Sequence, residues 1–300
     1  LHLIEQHETA LERLLVDPGV VFLLGSIDTG KTTFGLELAA RATAAGIPTA
    51  IVDADIGQST VGPPTTVGLK LCAGMGDIGR ESVRAADGLS FVGSTTPRGH
   101  LVSLVIGTAK LTARARETGC RLIVVDTTGF LSGINAQSLK YFKMDLLGPD
   151  FVVGFQRGEE LEPILGIARR FTPAQVVQLA VPSEVVTRSV DERAAFREQQ
   201  FAAYFAGGVS RWRVKPTVFM PTLPPEFDLA LLDGLVVGME DGKGSCVGIG
   251  VLEFDAREEM LRMVSPVSEG VRGLRLGSLR IDLQGRSKGP VDLRQLFSTE

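Results

Sequence analysis

An unbroken apolar run, Val20-Val21-Phe22-Leu23-Leu24, leads directly into Gly25-Ser26-Ile27-Asp28-Thr29-Gly30-Lys31-Thr32-Thr33. The run reads as a strand buried on both faces, which belongs in a parallel sheet covered by helices. The string after it matches G-x-x-x-x-G-K-[ST] and opens a helix predicted over residues 31–45, stopped by Gly46. Its glycines let the backbone close around phosphates, so that amide N–H groups and the helix N-terminus face the anion. Lys31 reaches the β- and γ-phosphates of a nucleoside triphosphate, and the Thr32 hydroxyl is a Mg2+ ligand. The same string also arises as a plain turn. Its place between a strand and a helix argues for a nucleotide site.

Further strands are predicted at residues 49–52, 89–92, 122–125, 151–155 and 176–180. Helices are predicted at about 3–15, 101–117 and 161–170. This alternation implies an α/β protein of the P-loop NTPase kind, a doubly wound, mostly parallel sheet with helices on both faces. From about residue 215 the texture changes. Strand-like segments at 227–237, 246–254 and 274–283 are separated by turns such as Asp241-Gly242-Lys243-Gly244, with no long helical pattern between them. The expectation is a P-loop domain over residues 1–215 and a small C-terminal β-rich domain over 216–300.

Composition removes several alternatives. With 44% hydrophobic and 22% charged residues, the 300-residue chain is not disordered. No apolar stretch approaches the roughly 18 residues of a membrane helix. Residues 1–12 carry Glu5, Glu8 and Glu12 and no basic region, so no signal peptide is expected, and the first residue, not a Met, reads as a trimmed or processed end. Three scattered cysteines and three histidines argue against zinc and for reduced thiols in a cytoplasmic protein. A net charge of −4 excludes a protein that coats nucleic acid by bulk electrostatics, though not a local basic site.

Several constellations follow the phosphate loop. Asp53 and Asp55 end the second strand, at the sheet edge where α/β proteins bind ligands. One can serve Mg2+ and the other can take a proton from an attacking hydroxyl, or both can be solvated acids in a turn. Asp126 ends another buried strand, Val124-Val125-Asp126-Thr127-Thr128-Gly129-Phe130, as a second Mg2+-side carboxylate or as a D-x-x-G turn. No N-K-x-D follows a strand; the nearest string, Phe142-Lys143-Met144-Asp145, lacks the Asn and falls in a helical pattern. That favours ATP, or NTPs generally, over a guanine-specific site. Arg193 and Arg197 share one helix face with Gln200 and Tyr204, near Arg188. Such arginines can stabilise a transferring phosphoryl group or simply be solvated. Ser94-Thr95-Thr96-Pro97-Arg98-Gly99-His100 is a hydroxyl-rich loop or a capped helix start.

Together these residues resemble the polynucleotide 5′-hydroxyl kinase family, which includes the kinase of the eukaryotic pre-mRNA cleavage machinery and nucleolar rRNA-processing kinases. The loop from Gly25 to Thr33 is similar to the family's Walker A. Asp53-Ala54-Asp55-Ile56-Gly57-Gln58 is similar to its D-x-D-x-G-Q motif, Thr127-Thr128-Gly129-Phe130 to its T-x-G-W clasp, and Arg193-Ala194-Ala195-Phe196-Arg197 to its R-x-x-x-R lid. The glycine-punctuated segment from Gly234 to Gly250 resembles its C-terminal β domain. The match runs in order along almost the whole chain, in what looks like a compact prokaryotic form without the large N-terminal domain of eukaryotic relatives. The clasp departs from the pattern twice, with Phe130 in place of the tryptophan and Asp126 before the threonines.

The resemblance implies an ATP- and Mg2+-dependent kinase acting on the 5′-OH end of RNA or DNA. It makes Asp55 the base, Lys31 the cation that follows the γ-phosphoryl, and Arg188 and Arg193 the lid, around a helix spanning about residues 188–205, with Arg197 in support. Thr32 and Gln58 serve the metal beside Asp53, and Thr95, Thr96, Thr127, Gly129 and Phe130 line the acceptor path. A nucleotide-locked scaffold in an RNA-processing assembly and a P-loop enzyme for a small metabolite are the alternatives. The basic surplus of residues 184–215 and 262–294 is expected to flank the acceptor cleft.

Overall fold

The structure, a computed structural model, describes residues 2–74, 76–182 and 184–297. Helix α1 (His2–Val16) precedes β1 (Val20–Gly25), α2 (Lys31–Ala44), β2 (Thr49–Ala54), β3 (Thr66–Leu71) and β4 (Gly88–Phe91). There follow α3 (Leu101–Glu117), β5 (Leu122–Thr127), α4 (Ile134–Leu147), β6 (Phe151–Gln156), α5 (Glu162–Phe171) and β7 (Gln175–Ala180). Helix α6 (Val190–Phe205) leads into β8 (Ser210–Val214), β9 (Phe219–Met220), β10 (Leu235–Glu240) and β11 (Cys246–Asp255). The chain continues through β12 (Met260–Ser265), β13 (Gly273–Ile281), β14 (Ser287–Pro290) and the short α7 (Leu293–Phe297).

Five parallel strands in the order β2-β5-β1-β6-β7 carry the phosphate loop at their centre. All six residues of β1 are buried, because helices cover both sides of it. Val20, Phe22 and Leu24 face a core shared with α3, α4 and α5, through Leu104, Leu139 and Leu165. Val21 and Leu23 point the other way, onto Leu14 of α1 and Phe34 and Leu38 of α2. The period-2 pleat thus splits one apolar run between two cores. That arrangement is the doubly wound sheet expected from the sequence, and no helix among the described residues is long and apolar enough to cross a membrane.

Antiparallel strands β3 and β4 extend the sheet beyond β2. Strand β3 was not expected, because Gly68 and Lys70 interrupt its apolar pattern and Pro63-Pro64 precedes it. The C-terminal strands join through one pair, Cys246 of β11 opposite Leu89 of β4, and enclose their own core around Leu235, Leu252, Met263 and Leu274. Strand β8 pairs with β12 although it precedes residue 216. The expected strand over 227–237 begins only at Leu235, after a short 3-10 turn capped by Asp228. Helix α6 bridges the two regions. Ser189 and Glu192 form a capping box at its start, while Phe201 and Phe205 at its far end are buried with Phe91, Val236 and Ile249. The Ile249 amide donates to the Tyr204 hydroxyl at 3.0 Å. One end of α6 is therefore fixed, and the other stands over the phosphate loop.

Candidate active site

The loop between β1 and α2 takes its shape from residues with little freedom to change. A Cβ at Gly25 would lie 2.5 Å from Thr29 Oγ1, and Gly30 has φ +87°. Asp28 also adopts a left-handed conformation, φ +53°, which Asp tolerates better than most residues. Thr29 Oγ1 and Lys31 Nζ both donate to the Ser26 carbonyl, at 3.0 and 2.7 Å. Residues 27–33 line a cleft of about 730 Å3. Gly25 and Ser26 do not line it; they form the base of the loop behind those residues.

Asp55 lines the same cleft. Its Oδ1 accepts from the amides of Gly57 and Gln58 at 3.2 and 3.1 Å, and among the described residues no hydrogen bond uses Oδ2. One oxygen is anchored and the other is available to a ligand. Asp53, expected on the metal, is turned away. Its Oδ1 accepts from the Asp55 amide and its Oδ2 from those of Thr60 and Val61, at 2.9, 2.5 and 3.0 Å. At 2% exposure it shapes the loop after β2 and does not line the cleft. Burial, reinforced by the Asp126 charge, pushes its carboxyl up to about 7.

Asp126, also buried and outside the lining of the cleft, contacts the phosphate-loop helix instead. The Thr32 hydroxyl donates to Asp126 Oδ2 at 2.5 Å, and burial raises the Asp126 pKa against the pull of Lys31 and of this hydrogen bond. Gln58 Nε2 donates to the carbonyls of Gly57 and Arg193 at 2.9 and 3.2 Å, leaving Oε1 buried and without a partner. A hydroxyl, a carboxylate and an unpaired amide oxygen are hard ligands that suit Mg2+. Among the described residues no group of three or more His, Cys, Asp or Glu could hold a metal.

The lid arginines converge on the phosphate loop. Arg188 donates from its backbone N and from Nε to the two carboxylate oxygens of Asp28, each at 2.9 Å, and its Nη2 lies 2.7 Å from Oδ1. Arg193 Nη1 donates to the Arg188 carbonyl and stands 3.9 Å from Asp28 Oδ2. Arg197 lines the cleft one helical turn on. On the acceptor side, Thr95, Thr96, Gly129 and Phe130 line the cleft, and Thr127 does not. Thr127 Oγ1 donates to the Leu23 carbonyl and accepts from Lys140 Nζ, at 2.7 and 2.8 Å, which makes it a buried strut. Gly129 is required by contact, since a Cβ there would lie 2.6 Å from the Ile27 amide nitrogen.

The motifs did not reveal four basic residues. Arg80 and Arg98 line the cleft, and Lys140 and Lys143 lie fully buried beneath it on α4. The two lysines sit one turn apart on the face that also carries Ala136, Leu139 and Leu147, so helical phasing would have exposed them. Lys140 Nζ also donates to the Thr128 carbonyl at 2.7 Å, and burial drives its pKa well below the ordinary lysine value. Among the described residues Lys143 Nζ has no hydrogen-bond partner; burial lowers it to about 7, against the attraction of Asp55, Asp53 and Asp126. No residue after Arg197 lines the cleft. The basic residues of the 262–294 stretch are absent from its lining, and three of them are held by partners elsewhere. Arg262 pairs with Asp255, Arg275 with Glu240, and Arg280 donates to the carbonyls of Asp233 and Leu231.

A buried strand, a glycine loop and a helix over the C-terminal edge of a parallel sheet define a P-loop nucleotide-binding protein. The chain belongs to the mRNA cleavage and polyadenylation factor CLP1 P-loop family, whose profile matches residues 25–207, and that membership implies ATP binding. It is 26% identical to a polyribonucleotide 5′-hydroxyl-kinase of Thermococcus kodakarensis, across 91% of each chain. It is 27% identical to one of Pyrococcus furiosus, across 97% of this chain and 96% of that one. With the Danio rerio polyribonucleotide 5′-hydroxyl-kinase Clp1 it shares 26% identity over 83% of its length and 55% of the relative's. The solved Clp1p–Pcf11p complex shares the fold at a TM-score of 0.71 and 13% identity, covering 93% of this chain and 79% of that one.

Proposed function

We propose that this protein is an ATP-dependent polynucleotide 5′-hydroxyl kinase, acting on the 5′ end of RNA and, through the same sugar hydroxyl, of DNA. The observation that carries the reading is the meeting of Lys31, Asp55 and Arg188, Arg193 and Arg197 around one cleft. The archaeal relatives that match nearly end to end bear the name of that activity.

The acceptor 5′ oxygen attacks the γ-phosphorus of ATP in line with the β–γ bridging oxygen. A new O–P bond forms, the P–O bond to the bridging oxygen breaks with its electron pair, and ADP leaves. The hydroxyl proton passes to Asp55, whose Oδ1 is pinned by two amides while Oδ2, without a hydrogen bond among the described residues, is available to take it. Lys31 exchanges the Ser26 carbonyl for the phosphates. Arg188 and Arg193, held over the loop by Asp28, turn their remaining N–H groups to the equatorial oxygens, where charge accumulates in the transition state. Thr32, Asp126 and Gln58 would hold Mg2+, which neutralises charge on the β- and γ-oxygens when bound. Few contacts to bases are needed, so sequence preference is weak.

Labelled ATP and Mg2+ offered with a 5′-hydroxyl oligoribonucleotide test this reading. The unmodified protein is expected to transfer label to the 5′ end. Lys31→Ala and Asp55→Asn each lower the rate by about 10²–10⁴-fold. Absence of transfer from the unmodified protein to any 5′-hydroxyl acceptor overturns it.

A further inference from the structure

Arg211 and Arg213 of β8, with Lys215 just beyond it, belong to the basic stretch of residues 184–215, yet none of the three lines the cleft. They stand where the sheet ends. Among the described residues β8 pairs with β12 alone, so its outer edge has no neighbouring strand. A free edge of five residues is a template for another extended chain. Helix α6, 16 residues and about 24 Å long, leads from the lid to this edge.

The acids nearby are already committed. Across the sheet Glu253 of β11 stands opposite Arg262 of β12, and Arg262 stands opposite Arg213 of β8. Glu253 accepts from Arg211 Nε at 3.1 Å. Arg262 lies 2.8 Å from Asp255 and 3.6 Å from Glu258. Arg213 is left beside a like charge, and among the described residues neither it nor Lys215 has an acid within 4.0 Å. Like charges directly opposite weaken a strand pair. The row runs acid, base, base, and an acid on a strand beyond β8 would complete it.

Arg213 and Lys215 also line a groove of about 470 Å3, shared with the apolar side chains of Val214, Leu229 and Leu261. Glu259 is the one acid among its lining residues. A nucleic-acid backbone brings an anion at every step, gains nothing from the apolar lining and is repelled by Glu259. A second copy of this chain would set its own β8 arginines against these. An extended peptide with acidic and apolar residues in alternation suits every feature. The period-2 pleat puts Arg211 and Arg213 on one face of β8, and Trp212 and Val214 on the other, against the C-terminal core. A neighbouring strand of that pattern sets its acids beside the arginines and its apolar side chains beside the groove.

We propose that the free edge of β8 is a docking site for a partner protein, which adds an extended acidic segment to the sheet as a further strand. The site lies off the cleft and is independent of the kinase reading. Backbone pairing holds the segment, and Arg213 and Lys215 select its charge.

Fluorescence anisotropy of the full chain with three labelled octapeptides tests the proposal. One alternates Glu and Val, one alternates Lys and Val, and the third is the Glu–Val peptide N-methylated at every second residue. The Glu–Val peptide is expected to bind about 10-fold or more tightly than either of the others. It is also expected to slow hydrogen exchange of the β8 amides by about 5-fold or more. Arg213→Glu with Lys215→Glu reverses the order of the Glu–Val and Lys–Val peptides, and Arg213→Gln with Lys215→Gln weakens the Glu–Val peptide without strengthening the Lys–Val one. Urea unfolding confirms that both double variants fold, since the exposed side chains support no core contact. Equal affinity for the Glu–Val and Lys–Val peptides, an order unchanged in the Glu variant, or undiminished binding of the N-methylated peptide overturns the proposal. So does an oligoribonucleotide that protects β8 better than the Glu–Val peptide, which assigns the edge to nucleic acid. Label transfer enters none of these readouts, so their failure leaves the kinase reading standing.

Discussion

Asp28 places a negative charge in a loop built to receive phosphates. Left alone it would repel the nucleotide. Its oxygens instead accept the Arg188 backbone N–H and side chain, with Arg193 close behind. This forked contact sets where the lid rests, because it joins the apex of the phosphate loop to the residues just before α6. Arg157 reinforces the same junction, its Nη2 donating to the carbonyls of Asp28 and Val185 at 2.9 and 3.2 Å. Asp28 and Arg188 therefore act as one unit in positioning the lid. Asp28→Ala and Arg188→Ala are each expected to lower kcat/KM by about 10-fold or more. The double variant should fall far short of the product of the two losses, a coupling of about 1 kcal/mol or more. Strictly additive losses would show that the contact does not position the lid. In the sequence Asp28 occupies a variable position of the motif, and only folding brings it to an arginine 160 residues away.

At the scale of elements, α4 and α6 carry tension and anchorage respectively. Helix α4 buries the Lys143 ammonium without a hydrogen-bond partner, beneath three carboxylates whose charges only partly offset the desolvation. A lysine that titrates at 10.5 when unfolded and at about 7 when folded destabilises the fold wherever both states are protonated, below about pH 7. The cost is relieved as the pH rises from there towards 10.5. Lys143→Met is therefore expected to stabilise the protein by a few kcal/mol at pH 6, with the gain shrinking steadily at pH 8 and pH 10 in urea unfolding. A gain independent of pH would assign the effect to packing. Helix α6 is held by Phe201, 2% exposed; Phe201→Ala is expected to cost about 3–5 kcal/mol in the same measurement. The elements themselves were uneven in how plainly the sequence announced them. Strand β1 and helix α2 were legible because an apolar run and a glycine signature leave few other structures. Strand β3 was not, since between β2 and β4 it carries Gly68, packed against the Val61 carbonyl, and the half-buried Lys70, and these blur its pattern. The buried lysines of α4 were legible only through its phasing, since they share the face of Ala136, Leu139 and Leu147.

For the whole molecule, the sequence showed how much charge there is but not where it goes. A net charge of −4 with basic surpluses over residues 184–215 and 262–294 suggested that both stretches flank the acceptor cleft. In the fold three of those arginines, Arg262, Arg275 and Arg280, are tied to acids and carbonyls of neighbouring elements, and the cleft is lined by other cations. The different partners of Asp53 and Asp126 have a similar origin. Both end parallel strands at the same height, Asp53 opposite Asp126, and only the chain that follows each strand decides which carboxylate its own backbone consumes. Five arginines, Arg80, Arg98, Arg188, Arg193 and Arg197, line the cleft, and two of them face Asp28. That leaves about three cations to displace counterions from a single strand, for a slope of log affinity against log salt of about −2. Between 50 and 200 mM salt, oligonucleotide affinity should fall by about 20-fold. Arg286→Ser with Lys288→Ser, beyond the cleft, should leave the slope unaltered, whereas Arg98→Gln should reduce it by nearly 1. A slope of about −5 or steeper, or one that responds to the C-terminal pair, would mean that the acceptor runs on over the β-rich strands. A shallow slope confined to the cleft arginines is what a protein with a net negative charge requires in order to hold a nucleic acid by its end.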